Sequence, residues 1–116
     1  MDDRFLQQLK KGVLEMLVLE LVCQGPTYGY ELLTRLKEGS GGLFALKEGT
    51  LYPILYRLED DGMIAAAWSA QQGRTAPKKM YSATEKGRQE KEKRWRIWRD
   101  FVDTVDGFDQ EGDSNV

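Results

Sequence analysis

Hydrophobic residues near the start of the chain recur with helical spacing. Between Phe5 and Val22 they lie three and four residues apart, which predicts one long helix. The stripe consists of Leu6, Leu9, Val13, Met16, Leu17 and Leu21. Leu14, Val18 and Leu19 widen it, and a helix that is apolar on more than one side is buried on more than one side. We therefore expect one face to pack within its own domain and another to pack against a second copy of the chain.

The next segment predicts a second helix and a short strand. A glycine-proline pair ends the first helix, because glycine suits a helix C-terminus and proline cannot continue one. Thr27 is the expected N-cap of a helix from Tyr28 to Lys37. The expected inward side of this helix is Tyr30, Leu32, Leu33 and Leu36. After a glycine-rich turn, the apolar run Leu43–Leu46 predicts a small strand.

The segment from Gly49 to Gly62, GTLYPILYRLEDDG, predicts a third helix with a proline near its start. Helical spacing places its core stripe at Leu51, Ile54, Leu55 and Leu58. The opposite side carries Tyr52, Pro53, Tyr56 and Asp60, with Thr50 and Arg57 on one flank. If Thr50 is the cap, Pro53 lies in the first turn, where amides lack partners anyway. If the helix begins earlier, near Lys47, the proline leaves one carbonyl without a donor. In both arrangements the start of the helix is exposed and available as an interaction surface.

The remaining elements predict a hairpin and a last helix. Residues 63–69 and 78–84 have the composition of two antiparallel strands joined by a loop. Thr84 is the expected N-cap of a helix that runs from Glu85 to about Val105 or Phe108. Three helices, a hairpin and another helix follow the order of a winged helix-turn-helix with an appended helix. We therefore predict a mainly α fold with a small β-hairpin, an α+β fold.

The composition excludes several classes of function. The 116-residue chain has no histidine and one cysteine, Cys23, which lies in an apolar run and is expected to be buried. Disulfides within the chain, Cys/His zinc sites and Ser-His or Cys-His catalytic pairs are therefore excluded. The sequence contains no carboxylate pair and no phosphate-cradling loop that would indicate an enzyme. We also expect no metal and no cofactor. The acidic start and the short apolar runs predict no signal peptide and no membrane span, so we expect a cytoplasmic protein.

Charge is distributed unevenly along the chain. The net charge is −2, yet between Gln71 and Arg99 ten basic residues accompany three acidic ones, a local balance of +7. Only acidic charges follow Arg99. A basic segment beside an acidic end is compatible with binding to nucleic acid even when the whole protein is acidic.

Two motifs carry a resemblance to a known family. YGYEL at 28–32 and GTLYP at 49–53 resemble the PadR-like family of transcriptional regulators. The matching positions further along are Leu58, Glu59, Gly62, Tyr81, Thr84 and Gly87. The resemblance covers roughly residues 5–108. It implies a winged helix-turn-helix with a C-terminal dimerisation helix, and homodimers that bind palindromic operators, usually as repressors. Many members of the family release DNA when a small molecule binds.

The resemblance also assigns DNA contacts. The DNA-reading positions of the family match Thr50, Tyr52, Pro53, Tyr56 and Arg57. The expected wing contacts are Arg74, Lys78 and Lys79, and Tyr28 and Tyr30 match positions near the DNA backbone. The residue types suit these roles, since tyrosine donates to phosphates and arginine pairs with guanine. From the residues alone, packing of the tyrosine face against another element is the alternative. Lys47 departs from the family pattern, in which a small capping residue is usual.

The last helix carries an apolar stripe that predicts a seam against a second copy. The expected dimer interface is Leu6, Leu9, Val13, Trp95, Trp98, Phe101, Val102 and Val105. Interface packing alone would account for both tryptophans. A single helix after the hairpin resembles the short-tailed subgroup. In its multidrug-sensing members a tryptophan on this helix lies at the dimer centre and stacks on flat ligands. Trp98 matches that position, with Trp95 as the second candidate, and a flat aromatic small molecule is the candidate ligand.

These observations predict three segments and one preferred function. The segments are a winged helix-turn-helix DNA-binding domain at 1–84, a dimerisation helix at 85–108 and an acidic flexible tail at 109–116. The preferred function is a homodimeric repressor that binds double-stranded DNA at a palindromic operator and is released by a small aromatic ligand. The alternative is a winged-helix module that binds protein partners without specific DNA binding. Two features favour DNA binding over protein binding. The wing is basic, and the exposed side of the third helix has no carboxylate before Asp60.

Overall fold

The computed structural model of the protein describes residues 3–109, so most of the predicted acidic tail lies outside the described residues. Within this range the elements follow the predicted order. They are α1 (Asp3–Cys23), α2 (Gly29–Gly39), α3 (Glu48–Asp60), β1 (Ile64–Trp68), β2 (Lys79–Ala83) and α4 (Glu85–Asp106). The two strands form one antiparallel hairpin, and this hairpin with its connecting loop is the wing of the winged helix-turn-helix. The predicted α+β winged-helix fold with a C-terminal helix is therefore confirmed.

The core lies between α1, α2, α3 and the hairpin. All four residues of the predicted α3 stripe are buried, and Leu51, Leu55 and Leu58 are fully inaccessible. On α2, however, Tyr30 is 72% exposed, so its predicted inward position is wrong. Leu32 and Leu36 define the buried side of α2, and Tyr30 lies two residues from Leu32, about 200° around the helix.

Thr27 is not the N-cap of α2. Tyr28 occupies that position without a side-chain capping bond, and α2 begins at Gly29. Thr27 is instead fully buried, and its backbone exchanges two hydrogen bonds with Tyr81 of β2, at 3.0 and 2.7 Å. Its hydroxyl donates to the Glu31 carboxylate at 2.6 Å. A threonine committed to the edge of the hairpin in this way cannot also cap the helix.

The predicted strand at Leu43–Leu46 is also wrong. Residues 41–44 form a turn that begins with two glycines of positive φ, Gly41 and Gly42. The Phe44 amide donates to the Ser40 hydroxyl at 2.8 Å, and the Phe44 ring is buried. The Phe44 amide is therefore used by the turn, and the Phe44 ring packs into the core.

The recognition-helix candidate, α3, begins early. Lys47 is its N-cap residue, and the amides of Thr50 and Leu51 both donate to the Lys47 carbonyl. Pro53 therefore lies inside the helix, on its exposed side, and leaves the Gly49 carbonyl without its usual donor. Of the two starts that the sequence leaves open, the structure has the earlier one.

The junction between the hairpin and α4 is tightly built. Thr84 caps α4 as predicted, since its hydroxyl oxygen accepts from the Gly87 amide at 3.0 Å. The same hydroxyl donates to the Gly62 carbonyl at 2.6 Å. Gly87 is buried against Met63, and an added Cβ would lie 2.9 Å from the Met63 carbonyl carbon. From this junction α4 runs alongside α1.

Candidate nucleic-acid interface

The exposed side of α3 presents the predicted DNA-reading residues. Thr50, Pro53 and Tyr56 are exposed, while Tyr52 is half-buried. The rings of Tyr52 and Tyr56 lie side by side, with centroids 6.2 Å apart. Because the apolar stripe of α3 is locked into the core, this tyrosine pair has a fixed orientation toward solvent.

Gly29 and Tyr52 join the two sequence motifs in space. The Tyr52 ring lies over the start of α2, and an added Cβ on Gly29 would lie 2.9 Å from Tyr52 Cζ, with the hydroxyl oxygen closer still. The glycine of YGYEL therefore makes room for the tyrosine of GTLYP. The Tyr52 ring therefore packs against the start of α2 and also remains partly exposed to solvent.

The wing lysines lie against these tyrosines. Lys78 Nζ is 4.3 Å from the centre of the Tyr28 ring. Lys79 Nζ is 5.7 Å from the Tyr56 ring and 5.6 Å from the Tyr81 ring. Cations over tyrosine faces are attracted by the ring quadrupole. We call the surface formed by Tyr28, Tyr52, Tyr56, Lys78 and Lys79 the aromatic–basic face.

The other predicted DNA contacts lie around this face. Tyr30 is exposed on α2, and Arg74 is exposed in the tip of the wing. The tip closes through a bridge between Gln72 and Thr75, with Gly73 at a φ of 58°. A cation at the end of such a hairpin is well placed to reach a phosphate beyond the aromatic–basic face.

Arg57 is engaged elsewhere. Its Nε lies 3.4 Å from Glu15 Oε1 of α1. The other oxygen of the same carboxylate lies 3.5 Å from a terminal nitrogen of Arg94 on α4. Glu15 thus connects α1 with both α3 and α4. Glu15 was not predicted from the sequence, because nothing local to it indicates a contact with residues 42 and 79 positions away.

Trp68 is the second residue that sequence reasoning missed. It ends β1, is 70% exposed, and lies directly opposite Lys79 in the hairpin register. The alternation of the strand could have signalled its direction, since Ile64, Ala66 and Trp68 share one face. Ile64 is buried on that face, so Trp68 continues the core-facing side beyond the end of the core.

A groove of about 510 Å³ runs between α1 and α4. Its lining includes four predicted dimer or ligand residues, Leu9, Val13, Trp98 and Phe101, as well as Glu15 and Arg94. Trp95 does not line it. That ring borders a separate depression with Glu20 and Lys91, so the structure separates the two tryptophans.

Burial determines the ionisation of two other groups. Burial, reinforced by the nearby Tyr52, Glu59 and Tyr56, raises the pKa of Tyr81 to about 12. The Tyr81 hydroxyl is buried and has no hydrogen-bond partner among residues 3–109. Burial also raises the pKa of the Cys23 thiol. Cys23 is partly buried, less than predicted, and its sulfur lies 4.0 Å from the Gly87 carbonyl. A raised pKa keeps the thiol protonated, as in a structural cysteine.

The described residues offer neither a metal site nor a membrane-spanning helix. Between residues 3 and 109, no three His, Cys, Asp or Glu side chains come together as a set that could hold a metal ion. Over the same range, no helix is both long enough and apolar enough to cross a bilayer.

Comparison with known proteins agrees with this geometry. The model of the transcriptional regulator PadR-like family matches residues 18–93. The negative transcriptional regulator PadR of Bacillus subtilis is 36% identical over 78 residues, which are 67% of this chain and 42% of that protein. The chain therefore spans less than half the length of this relative.

Solved structures extend the similarity to α4. A PadR family transcriptional regulator from Eggerthella lenta has a TM-score of 0.80 and 30% identity, with 90% of this chain and 88% of that chain covered. A PadR-like transcriptional regulator from Bacillus cereus has a TM-score of 0.74 and 33% identity, with 86% and 94% covered. The family match spans more than half of the chain, and the family consists of regulators rather than enzymes. The chain belongs to the PadR-like family of transcriptional regulators.

Proposed function

We propose that the protein is a homodimeric repressor that binds a palindromic operator through its aromatic–basic face. The observation that carries this proposal is the joint presentation of the exposed α3 start and the wing lysines on one surface. Helix-turn-helix proteins place the first residues of such a helix in the major groove. Tyr52, Pro53 and Tyr56 would meet base edges or phosphates there, and Lys78, Lys79 and Arg74 would meet the flanking backbone.

Exposed hydrophobic residues on α1 and α4 support the homodimer. Leu9 is 53% exposed, Phe101 60% and Val105 52%, and all three belong to the predicted interface. Apolar surface of this kind is what a partner covers. A two-fold dimer would place two copies of α3 about 34 Å apart, in successive major grooves on one side of the DNA.

The groove between α1 and α4 is the proposed ligand site. A flat aromatic compound would stack on Trp98, and each such ring pair contributes about 0.5–1.5 kcal/mol beyond area burial. The groove shares Glu15 and Arg94 with the ion-pair cluster that reaches Arg57 on α3. A ligand that moves α4 over α1 would disturb this cluster and change the spacing of the two recognition helices. The ion pairs are partly exposed and contribute only about 0.2–1 kcal/mol each, so most of the coupling must come from the change in spacing.

DNA binding is tested by fluorescence anisotropy. Labelled DNA from the region upstream of the gene is titrated with protein beside a scrambled sequence, across a series of salt concentrations. We expect tight binding to the upstream DNA, with log K falling against log salt by about 0.9 for each neutralised phosphate. Equal and feeble binding to both DNAs would favour the alternative, in which the aromatic–basic face binds a protein partner.

Dimerisation and ligand release need separate measurements. Sedimentation equilibrium should give twice the monomer mass, and a monomer at micromolar concentration would contradict the dimer. Flat aromatic compounds should quench tryptophan emission in the free protein, and much less so in Trp98→Leu. The same compounds should weaken operator binding. If they bind but operator affinity stays constant, the proposed coupling is wrong.

A further inference from the structure

Trp68 is a large aromatic side chain that the fold leaves uncovered. It is 70% exposed, whereas tryptophan is on average a highly buried residue. We infer that Trp68 is a DNA contact that packs its indole against the deoxyribose of the backbone strand lying between α3 and the wing. This inference rests on the proposed function, since it assigns a further contact on the same DNA surface.

The hairpin register sets the direction of Trp68. It pairs directly with Lys79, so both side chains leave the same face of the hairpin. That face also carries Ile64 and Tyr81, which are buried against the body of the domain. Trp68 therefore points to the side of the hairpin on which the helices lie.

Lys79 connects Trp68 to the recognition helix. Its ammonium lies 5.7 Å from the ring of Tyr56 on α3. Lys79 thus lies between the hairpin and α3, and Trp68 extends the same face of the hairpin away from the core. When α3 occupies a major groove, the adjoining backbone strand would pass Lys79 and Trp68.

Lys79 and Trp68 match the chemistry of a nucleic-acid backbone. Lys79 supplies a cation for a phosphate, and the Trp68 indole supplies a flat apolar surface for the sugar beside it. Contacts of this kind position a protein on DNA but carry no base sequence. The contribution of Trp68 should therefore be equal on specific and non-specific DNA. It should also be independent of salt, because the indole neutralises no phosphate.

The test is the substitution Trp68→Ala, measured by anisotropy on upstream and scrambled DNA across the salt series. We expect both affinities to fall about tenfold, as for a buried tryptophan at an interface, with the salt slope unchanged. Trp68→Phe should retain most of the affinity. Phe108→Ala removes a comparably exposed aromatic residue at the end of α4 and should change nothing. Lys79→Gln is the contrasting variant, and it should lower the salt slope by about 0.9.

A second readout reports on the indole itself. DNA should change the tryptophan emission of the wild-type protein, and this change should be absent in Trp68→Phe, which keeps Trp95 and Trp98. Thermal unfolding of Trp68→Ala should match the wild type, since the side chain is exposed. The combined result would assign the loss of affinity to the contact and not to the fold.

Four outcomes would overturn the inference. Unchanged affinity in Trp68→Ala, beside a wild type that binds DNA, would remove the contact and leave the regulator proposal intact. A loss confined to the upstream DNA would mean that the indole reads bases and not the backbone. A change in sedimentation mass would mean that Trp68 contacts a second copy of the chain. Failure of the wild type to bind either DNA would remove the proposed function together with this inference.

Discussion

The substitution Gly29→Ala tests the packing that joins the two motifs. An alanine Cβ at this position would lie 2.9 Å from Tyr52 Cζ, closer than real Cβ contacts. The obstructing atoms belong to the far end of a side chain, so the Tyr52 ring must move. Displacing a packed aromatic ring costs about 1–3 kcal/mol. Alanine in place of a helical glycine returns about 0.5–1 kcal/mol. We therefore expect the free energy of unfolding to fall by up to about 2.5 kcal/mol.

The functional consequence should exceed the loss of stability. A displaced Tyr52 changes the surface that α3 presents, so Gly29→Ala should weaken operator binding at temperatures where the variant is fully folded. Urea denaturation measures the first effect and anisotropy on the upstream DNA measures the second. Gly39→Ala is the matched control, because Gly39 belongs to the same helix and has no atom within 4 Å of an added Cβ. It should be neutral or stabilising and should leave DNA binding unchanged.

A double-mutant cycle isolates the steric cause. In a Tyr52→Ala background the obstructing ring is gone, so adding Gly29→Ala should cost nothing and should stabilise slightly. The coupling energy between the two positions should then be about 1–3 kcal/mol, as for residues in direct contact. If Gly29→Ala destabilises equally with and without the Tyr52 ring, the cause lies in the backbone at the start of α2. The steric contact with the Tyr52 ring would then be ruled out as the cause.

Three further substitutions test other parts of the structure. Thr84→Ala should lower the free energy of unfolding by about 1–2 kcal/mol in urea, because the Gly87 amide loses its cap, whereas Thr84→Ser should retain most of the stability. Tyr81→Phe removes a buried hydroxyl without a partner among the described residues, so at pH 7 it should be neutral or stabilising by up to about 1 kcal/mol. Because the folded state raises the Tyr81 pKa from 10.0 to about 12, the unfolded state releases its proton first. Wild-type stability should therefore fall by roughly 2 kcal/mol more than that of Tyr81→Phe between those pH values. Glu15→Gln should tighten DNA binding by about two- to fivefold at low salt, since it frees the Arg57 guanidinium, and an equal gain in an Arg57→Gln background would contradict this reasoning.

Local chemistry explains which predictions from the sequence were correct. The α3 stripe depends only on helical spacing and was predicted fully. The Thr84 cap depends on residues within three positions and was also predicted. Thr27 shows the opposite case, because its role as a cap was overridden by backbone pairing with Tyr81, 54 positions later in the sequence. A threonine before a helix looks the same in the sequence whether it caps that helix or pairs with a distant strand.

In the candidate site, too, local features were predictable from the sequence and contacts between distant elements were not. The exposed tyrosines of α3 follow from the buried stripe, since the remaining side of a helix must face outward. The neighbours of those tyrosines do not follow, because Gly29, Lys79 and Glu15 approach from other elements. The family motifs carry part of this information, as YGYEL and GTLYP contain the two halves of the Gly29–Tyr52 contact. The separation of the motifs is therefore meaningful, because the chain between them must bring that glycine and that tyrosine together.

The apolar breadth of α1 has a mechanical consequence for regulation. Val18 and Leu19 are fully buried in the winged-helix core, while Leu9 and Val13, further toward the start of the same helix, line the groove beside α4. Protein cores are close-packed and resist deformation, so one end of α1 is fixed to the body that carries α3. The other end borders the proposed ligand site and, in the proposed dimer, the partner subunit. In the proposed dimer, a ligand that tilts α4 would act against a rigid α1, and the displacement would appear between subunits as a changed distance between the two copies of α3. If this is correct, substitutions that loosen the Leu19 end should weaken ligand release more than they weaken ligand binding.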